Sequence, residues 1–167
     1  MRFVWRRGFQ SMGMTVTSEA LTAALHVRVI SCEDAAAVAE LSVQLGYEAS
    51  LAEIEERITA LLSNAENQIA LVACVDGEVI GWIEASIVRH LQAAPHALIG
   101  GLVVKDGVRG LGVGKRLCAE VEAWSRNKGL TVVRVTSRST REGAHRFYLR
   151  EGYRQTKTSA VFEKVLL

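Results

Sequence analysis

One stretch in the second half of the chain constrains the fold most: an apolar run, a glycine-rich loop, an amphipathic segment and a β-branched run follow one another directly. Residues 98–104 are apolar, four glycines fall within residues 107–114, and helical periodicity covers about residues 112–128. Residues 131–136 have the β-branched composition of a buried strand. The order strand, helix, strand predicts a βαβ unit with two parallel strands and a right-handed crossover.

The remaining sequence extends this unit to an α/β protein with one mixed sheet of about six to seven strands flanked by helices. Asp76-Gly77 is a strong hairpin turn, and the segment 91–96, which holds the single proline Pro95, is predicted to be a loop. Predicted strands cover residues 25–30, 68–75, 78–88, 98–104, 131–136, 153–157 and 159–166. Predicted helices cover residues 36–45, 51–62, 112–128 and 143–150.

Length and composition favour a single ordinary domain. The chain has 167 residues, of which 49% are hydrophobic, and it divides into a loose N-terminal leader (residues 1–24) and one domain (residues 25–167). The net charge is only +2 and like charges form no block, which argues against a nucleic-acid partner. No apolar run reaches the ~18 residues of a membrane span. Three widely spaced cysteines predict reduced thiols in a cytoplasmic protein, with neither a disulfide framework nor a metal site.

The glycine-rich loop is suited to binding a phosphate. A loop that opens a helix presents free backbone N–H groups and the positive end of the helix dipole, and glycines let an anion approach closely. A P-loop would need glycine and a hydroxyl residue where Arg109 and Arg116 stand, and a dinucleotide fingerprint would need glycine in place of Lys115. The spacing that does fit is R-x-x-G-x-G, formed by Arg109, Gly112 and Gly114.

A second motif follows the glycine-rich loop in the sequence. Residues 144–153 fit A-x-x-x-Y-x-x-x-G-[FY], and the hairpin turn is followed by Val79-Ile80-Gly81. With these motifs, residues 27–167 resemble the GCN5-related N-acetyltransferase (GNAT) family. The resemblance implies a sheet whose two parallel strands splay apart, acetyl-coenzyme A as cosubstrate, and a homodimer. One position departs from the family pattern, since Arg141 stands where an asparagine often contacts the cofactor.

The resemblance also implies which residues bind the cofactor. The strand before the loop would pair with the pantetheine arm, and the Val104 N–H would face the oxyanion that develops during transfer. Arg141 would meet a phosphate in place of the usual asparagine contact. The implied cofactor-binding residues are Leu102, Val103, Val104, Arg109, Gly110, Leu111, Gly112, Val113, Gly114, Lys115 and Arg141.

Acetyl transfer to an amine also needs a general base and a general acid. Tyr148 is the candidate acid, because a phenol is protonated at neutral pH and can protonate a departing thiolate; the alternative is a core aromatic. Glu84, a carboxylate in an otherwise apolar strand, is the candidate base, with a solvated or ion-paired side chain as the alternative. His96 is a weaker candidate, since a histidine in a surface loop explains it more simply.

The expected function is acetyl-coenzyme A-dependent N-acetyltransfer to a primary amine of a small molecule or peptide. The acceptor is expected to contact residues 44–51 and 89–96. A non-catalytic module that binds acyl-coenzyme A and regulates a partner is the alternative, and a nucleotide-binding protein is a third hypothesis.

Overall fold

The computed structural model describes residues 23–166, so the predicted leader lies outside the described residues except for its last two positions. The strands are β1 (His26–Val29), β2 (Gln68–Val75), β3 (Glu78–His90), β4 (Ala93–Val104) and β5 (Val133–Val135). The helices are α1 (Ala35–Val43), α2 (Leu51–Ser63), α3 (Val113–Asn127) and α4 (Glu142–Arg150), and a short 3-10 turn, Cys32–Asp34, leads into α1.

The five strands form one mixed sheet in the order β1-β2-β3-β4-β5. Neighbouring strands are antiparallel except β4 and β5, which are parallel and joined through α3. This confirms the βαβ unit and the mixed α/β class predicted from the sequence, with five strands in place of six to seven. In the part of the chain that the structure describes, no helix combines the length and apolarity needed to cross a membrane.

Both faces of the sheet are covered by helices. Alternate residues of β2 point to opposite faces, so Leu71 packs with α3 while Val72 packs with α1 and α2. On the α3 face the fully buried side chains include Ile83, Leu117 and Val121. Burial on both faces explains why β2 is a continuous apolar run without alternation.

Polar contacts define where two of the covering helices begin. Ser50 caps α2, accepting from the Glu53 N–H at 3.3 Å while the Glu53 carboxylate accepts from the Ser50 N–H at 2.7 Å. Arg28 on β1 donates two hydrogen bonds of 2.7 Å to buried Asp34, which ties the edge strand to the start of α1. The hydrogen bonds from Arg28 hold the pKa of Asp34 below its usual range.

The prediction of a loop over residues 91–96 is wrong, because β3 runs on to His90 and β4 already begins at Ala93. Proline is tolerated there because the register shifts between Val88 and His90, and Pro95 falls within that irregularity, where no ladder bond is required of it. The prediction that His96 lies in a surface loop is therefore also wrong. His96 is 3% exposed and pairs with Val88 inside the sheet.

The predicted C-terminal hairpin, residues 153–157 and 159–166, is absent from the described residues. After α4 the chain forms no strand up to residue 166. A segment of high strand propensity forms a strand only where a neighbouring strand can hydrogen-bond to it and its apolar side chains can pack against another surface. Here Val161, Phe162, Val165 and Leu166 are all strongly exposed, so their apolar pattern has no partner surface within residues 23–166.

Candidate active site

The two parallel strands, which form one edge of the sheet, separate after a short pairing. β5 pairs with β4 at only three positions, the last being Ile99 with Val135, while β4 continues to Val104. A cavity of about 120 Å³ lies where the strands part. Its wall includes Gly100, Leu102, Val135, Arg138, Arg141 and Tyr148, together with Leu45 and Tyr47 from the connection between α1 and α2. The splay implied by the family resemblance is therefore present.

A pair of glycines lets Glu84 pack against the strand that forms one wall of this cavity. The β3–β4 register passes from Ala85–Ile99 to Glu84–Gly101, which leaves Gly100 as the extra residue of a β-bulge. A Cβ atom on Gly100 would lie 2.8 Å from Glu84 Oε1, so only glycine lets the carboxylate lie against this strand. A Cβ atom on Gly101 would likewise lie 2.6 Å from the Trp82 ring.

The Glu84 carboxylate is half-buried and makes no hydrogen bond or ion pair with any residue in 23–166. Burial raises the pKa of Glu84 above the usual glutamate value. A carboxylate with a raised pKa and no internal partner can accept a proton from a group that enters the cavity. No basic side chain among the described residues forms an ion pair with Glu84, so the alternative of an ion-paired Glu84 has no support there.

The backbone of β4 faces the gap at every second residue. Lys105 N–H donates to Ile80 O at 2.8 Å, so Lys105 and Val103 direct their backbone groups toward β3. Leu102 and Val104 then direct theirs to the opposite side, where β5 has ended. Of the three strand residues predicted to bind the cofactor, the backbone groups of Leu102 and the N–H of Val104 are therefore free to pair with a ligand, whereas Val104 O accepts from Arg109 and Val103 is buried and engaged within the sheet.

The glycine-rich loop leaves an array of backbone donors unused. Gly107, Gly110 and Gly112 adopt φ of +88°, +82° and +88°, which L side chains rarely adopt. Within the described residues, the N–H groups of residues 110–115 donate to no protein acceptor, and the first loop-to-helix bond is Arg116 N–H to Gly112 O at 3.0 Å. These donors precede the fifteen-residue helix α3, whose dipole adds positive potential. The loop fits a pyrophosphate.

The charged side chains of the loop differ in orientation. Arg109 folds back, donating from Nε to Val104 O at 3.2 Å and forming an ion pair of 3.0 Å with Asp106. It also donates to Gln44 Oε1 at 3.3 Å, and the same oxygen accepts from the Asp106 N–H at 3.1 Å. Lys115 is exposed and forms no ion pair within residues 23–166, so it is available to an anion.

The cavity is closed on the helix side by Tyr148. Its ring packs edge-on against Phe147 and Tyr153, with centroids 5.1 and 5.5 Å apart. Phe147 in turn contacts Gly114, where a Cβ atom would lie 3.2 Å from the ring, so α4 is fixed against the glycine loop. Burial raises the pKa of Tyr148 to about 12, and its hydroxyl has no hydrogen-bond partner among the described residues. Tyr148 thus combines aromatic packing with a protonated phenol at the cavity.

The connection between α1 and α2 covers the cavity by contacts with the loop before α4. Arg141 donates to Leu45 O at 2.6 Å. The Arg138 guanidinium lies over the Tyr47 ring, 5.7 Å from its centroid, and NH2 is 3.4 Å from the Tyr47 hydroxyl. His145 Nε2 lies 3.1 Å from Arg138 O, a structural contact. Arg141 is therefore placed on the cavity wall, apart from the glycine-rich loop of residues 107–115.

The predicted site residues fall into two groups and two exceptions. Tyr148, Leu102 and Arg141 line the cavity, with Glu84 against its Gly100 wall, and the backbone donors of residues 110–115 belong to the glycine-rich loop. The exceptions are Val103, which is buried and engaged within the sheet, and His96, whose Nε2 faces Arg134 NH1 at 3.4 Å far along β4. Within residues 23–166, no group of three His, Cys, Asp or Glu side chains could hold a metal ion.

Two features of the site were not predicted from the sequence. Gln44 was expected to contact the acceptor, and the structure places its amide oxygen on the glycine loop. The Gly100-Gly101 pair was treated as ordinary strand sequence. Consecutive glycines inside an apolar strand are themselves a signal of a bulge or of close packing against the backbone.

Comparisons with known proteins agree with this geometry. Residues 36–153 match the acetyltransferase (GNAT) family. An aminoglycoside N(6')-acetyltransferase type 1 of Stenotrophomonas maltophilia is 30% identical over 144 residues, covering 84% of this chain and 93% of the relative. An aminoalkylphosphonate N-acetyltransferase of Salmonella typhimurium is 38% identical over 86 residues, 51% of this chain and 56% of the relative.

Solved structures show the same fold. The aminoglycoside acetyltransferase AAC(6')-Iy, in complex with a bisubstrate analogue of coenzyme A, superposes with a TM-score of 0.74 at 22% identity, covering 85% of this chain and 99% of that one. AAC(6')-Ih of Acinetobacter baumannii gives 0.73 at 22% identity, with coverage of 85% and 99%. The chain therefore belongs to the GNAT family of N-acetyltransferases, enzymes that take their acetyl group from acetyl-coenzyme A.

Proposed function

We propose that this enzyme transfers acetyl directly from acetyl-coenzyme A to a primary amine of a small molecule. The observation that carries the proposal is the cavity at the splay, which Glu84 and Tyr148 approach from different sides. Glu84 lies on the same face of β3 as Trp82, which packs toward α1 and α2, whereas Tyr148 packs with the α3 face. A proton acceptor and a proton donor on either side of one cavity are what the two proton movements of the reaction require.

The residues have separate tasks in this proposal. The free N–H groups of residues 110–115 bind the pyrophosphate, with Lys115 adding positive charge and Arg109 keeping the loop in shape. Leu102 pairs with the pantetheine arm through its backbone, and the Val104 N–H stabilises charge that develops on the carbonyl oxygen of the acetyl group. Arg141 contacts the pantetheine end of the donor and not a phosphate, because it lies beside Tyr148 on the cavity wall.

Two proton movements complete the transfer. Glu84 accepts the proton that the amine loses as nitrogen bonds to the acetyl carbon, either directly or through a water molecule. Tyr148 gives its phenolic proton to the sulfur as the carbon–sulfur bond breaks. The products are an N-acetylated amine and coenzyme A. The phenolate that remains regains a proton from solvent, which the high pKa of Tyr148 makes favourable, and protonated Glu84 releases its proton to solvent.

The relatives support an acceptor of low molecular weight. One is named for aminoglycosides and the other for aminoalkylphosphonates, and both classes are small amines. The cavity of about 120 Å³ admits only part of such a molecule, so specificity depends on the groups around its mouth.

A thiol-release assay tests the proposed function. Acetyl-coenzyme A is supplied with a panel of small primary amines, and free coenzyme A and the acetylated product are measured together. We expect release that depends on the amine and saturates with it. Binding of coenzyme A without release for any amine would favour a regulatory module instead. Stabilisation by ATP with none by acetyl-coenzyme A would favour a nucleotide-binding protein.

We also propose that the enzyme is a cytoplasmic homodimer. The exposed apolar side chains between Val161 and Leu166 support the dimer, since a second copy would cover them. The free thiols of Cys74 and Cys118, both buried, support a reducing compartment. Light scattering should give twice the chain mass, and a single-chain mass would contradict the dimer.

Gln44 gives a prediction about donor binding. Replacing Gln44 with leucine removes the oxygen that accepts from Asp106 N–H and Arg109, so we expect KM for acetyl-coenzyme A to rise about fivefold to tenfold while kcat changes less than about twofold. Gln44→Glu keeps an acceptor at the same position and should restore most of the binding. Steady-state kinetics with the donor varied measure both values, and an unchanged KM in Gln44→Leu would contradict this role.

A further inference from the structure

We propose that the acceptor carries an oxyanion, such as a phosphonate or carboxylate, a few bonds from its amine, and that Arg138 binds this group while the amine faces Glu84. The inference rests on the proposed acetyl transfer and adds the chemical class of the acceptor. It assigns to Arg138 a specificity role that sequence motifs do not indicate.

The charges on the cavity wall favour an anion on the side of β5. Arg138 and Arg141 both lie on this wall, and the lining residues include no aspartate or glutamate, because Glu84 lies behind Gly100 on the opposite side. Within residues 23–166, neither arginine has a carboxylate within ion-pair distance. Two guanidinium groups without counter-ions at one opening create a positive potential that attracts an anionic substituent and repels a polycation.

Arg138 is the better placed of the two. Arg141 already donates to Leu45 O at 2.6 Å, so part of its donor capacity is used by the protein. The Arg138 guanidinium lies over the Tyr47 ring and makes one long contact of 3.4 Å to the hydroxyl. Because contact with a ring face leaves most of the N–H edges free, the guanidinium can still donate two parallel hydrogen bonds to an oxyanion.

The backbone of Arg138 is fixed, which prepares the side chain for binding. Arg138 O accepts from the Arg141 N–H at 3.0 Å and lies 3.1 Å from His145 Nε2 at the start of α4. A cation held by its backbone and by an aromatic ring loses little freedom when a ligand binds. An exposed arginine without these contacts would lose more conformational entropy when it binds a ligand.

The two charged groups approach the cavity from different strands. Glu84 lies against Gly100 of β4, which lines the cavity, whereas Arg138 lines it from the segment after β5. A molecule with an amine at one end and an oxyanion at the other matches this arrangement. A polyamine would place positive charge beside Arg138 wherever a second amine extended past the cavity.

The test measures binding and turnover separately. Calorimetric titrations of 2-aminoethylphosphonate, ethanolamine and neamine are made into the enzyme saturated with coenzyme A, which keeps the phosphonate out of the glycine loop. We expect 2-aminoethylphosphonate to bind at least about tenfold more tightly than ethanolamine. Arg138→Ala should abolish this difference, and Arg138→Glu should shift the preference toward neamine. Arg146→Ala is the matched control, because Arg146 is a largely exposed arginine of α4 paired with Glu142 and does not line the cavity.

Each result decides the inference. Equal binding of 2-aminoethylphosphonate and ethanolamine, or tighter binding of neamine to the unaltered enzyme, would overturn it. A loss of coenzyme A affinity in Arg138→Ala, with the phosphonate preference retained, would assign Arg138 to the donor and also overturn it. Thiol release with every amine tested, without preference for the phosphonate in the titrations, would leave the acetyltransferase activity standing and remove only the anionic acceptor. A phosphonate preference that depends on Arg138 without release would support the anion site and count against acetyl transfer.

Discussion

Replacing Tyr148 with phenylalanine is expected to lower kcat by about 10²-fold or more, with KM for acetyl-coenzyme A changed by less than about threefold. The substitution keeps the ring that packs between Phe147 and Tyr153 and removes only the hydroxyl at the cavity. Without a proton donor the sulfur must leave as a thiolate or take its proton from water, and both routes are slower. Steady-state kinetics and a folding control by circular dichroism measure the effect.

Tyr153→Phe is the matched control for this experiment. Tyr153 packs against Tyr148, yet its hydroxyl donates to Glu122 on α3 at 3.2 Å and does not line the cavity. It should retain kcat within about threefold. Equal losses in the two variants would show that a general disturbance of the aromatic cluster, and not the loss of an acid, explains the result.

The pH dependence gives a second check on Tyr148. Burial raises the pKa of this phenol to about 12, so it stays protonated over the whole range in which the protein can be assayed. The rate should therefore show no alkaline decline from Tyr148 near the ordinary tyrosine pKa. A decline near pH 10 that disappears in Tyr148→Phe would contradict both the burial and the role.

The parts of the site that sequence predicts well depend on contacts between near neighbours. The glycine loop is set by the backbone freedom of Gly107, Gly110 and Gly112 and by the helix that follows directly. The βαβ unit follows from the order of its elements, and the splay then needs only β5 to be shorter than β4. These features are local, so spacing and composition carry most of the information.

The parts that sequence does not predict depend on distant partners. Gln44 contacts residues 62 and 65 positions away, and no local pattern specifies that pairing. From the sequence alone, Pro95 predicts the end of a strand, because proline has no N–H to donate to a neighbouring strand. The register shift opposite Pro95 removes the need for that hydrogen bond, and the sequence does not reveal this shift. The C-terminal segment has strand composition, but no described strand pairs with it, and β5 at the edge of the sheet has only three residues. In each case the local structure depends on whether a residue distant in sequence supplies a hydrogen-bond partner or a packing surface.

Replacing Glu84 with glutamine is expected to lower kcat/KM for the acceptor by about 10²-fold, because the amide cannot accept the amine proton. The unaltered enzyme should show an acid limb above the ordinary glutamate range, since burial raises the pKa of Glu84 and only the carboxylate is active. That limb should be absent from the residual activity of Glu84→Gln. Glu78→Gln is the control, because Glu78 lies on the same strand and its partner is Lys105 at the surface. Equal losses in the two variants would contradict the role of a base.

The same substitution should raise stability at neutral pH. Because burial raises the pKa of Glu84 in the folded state above its value in the unfolded chain, the folded protein holds this proton over a window in which the unfolded chain has lost it. The free energy of unfolding contributed by Glu84 therefore falls as pH rises through that window, and glutamine, which stays neutral, escapes this fall. We expect Tm of Glu84→Gln to exceed that of the unaltered enzyme at neutral pH and to match it in acid below the window. A lower Tm at neutral pH would mean that Glu84 stabilises the fold, as an ion-paired carboxylate does. A higher Tm together with a loss of activity is expected instead if the charge on Glu84 serves catalysis at the expense of stability.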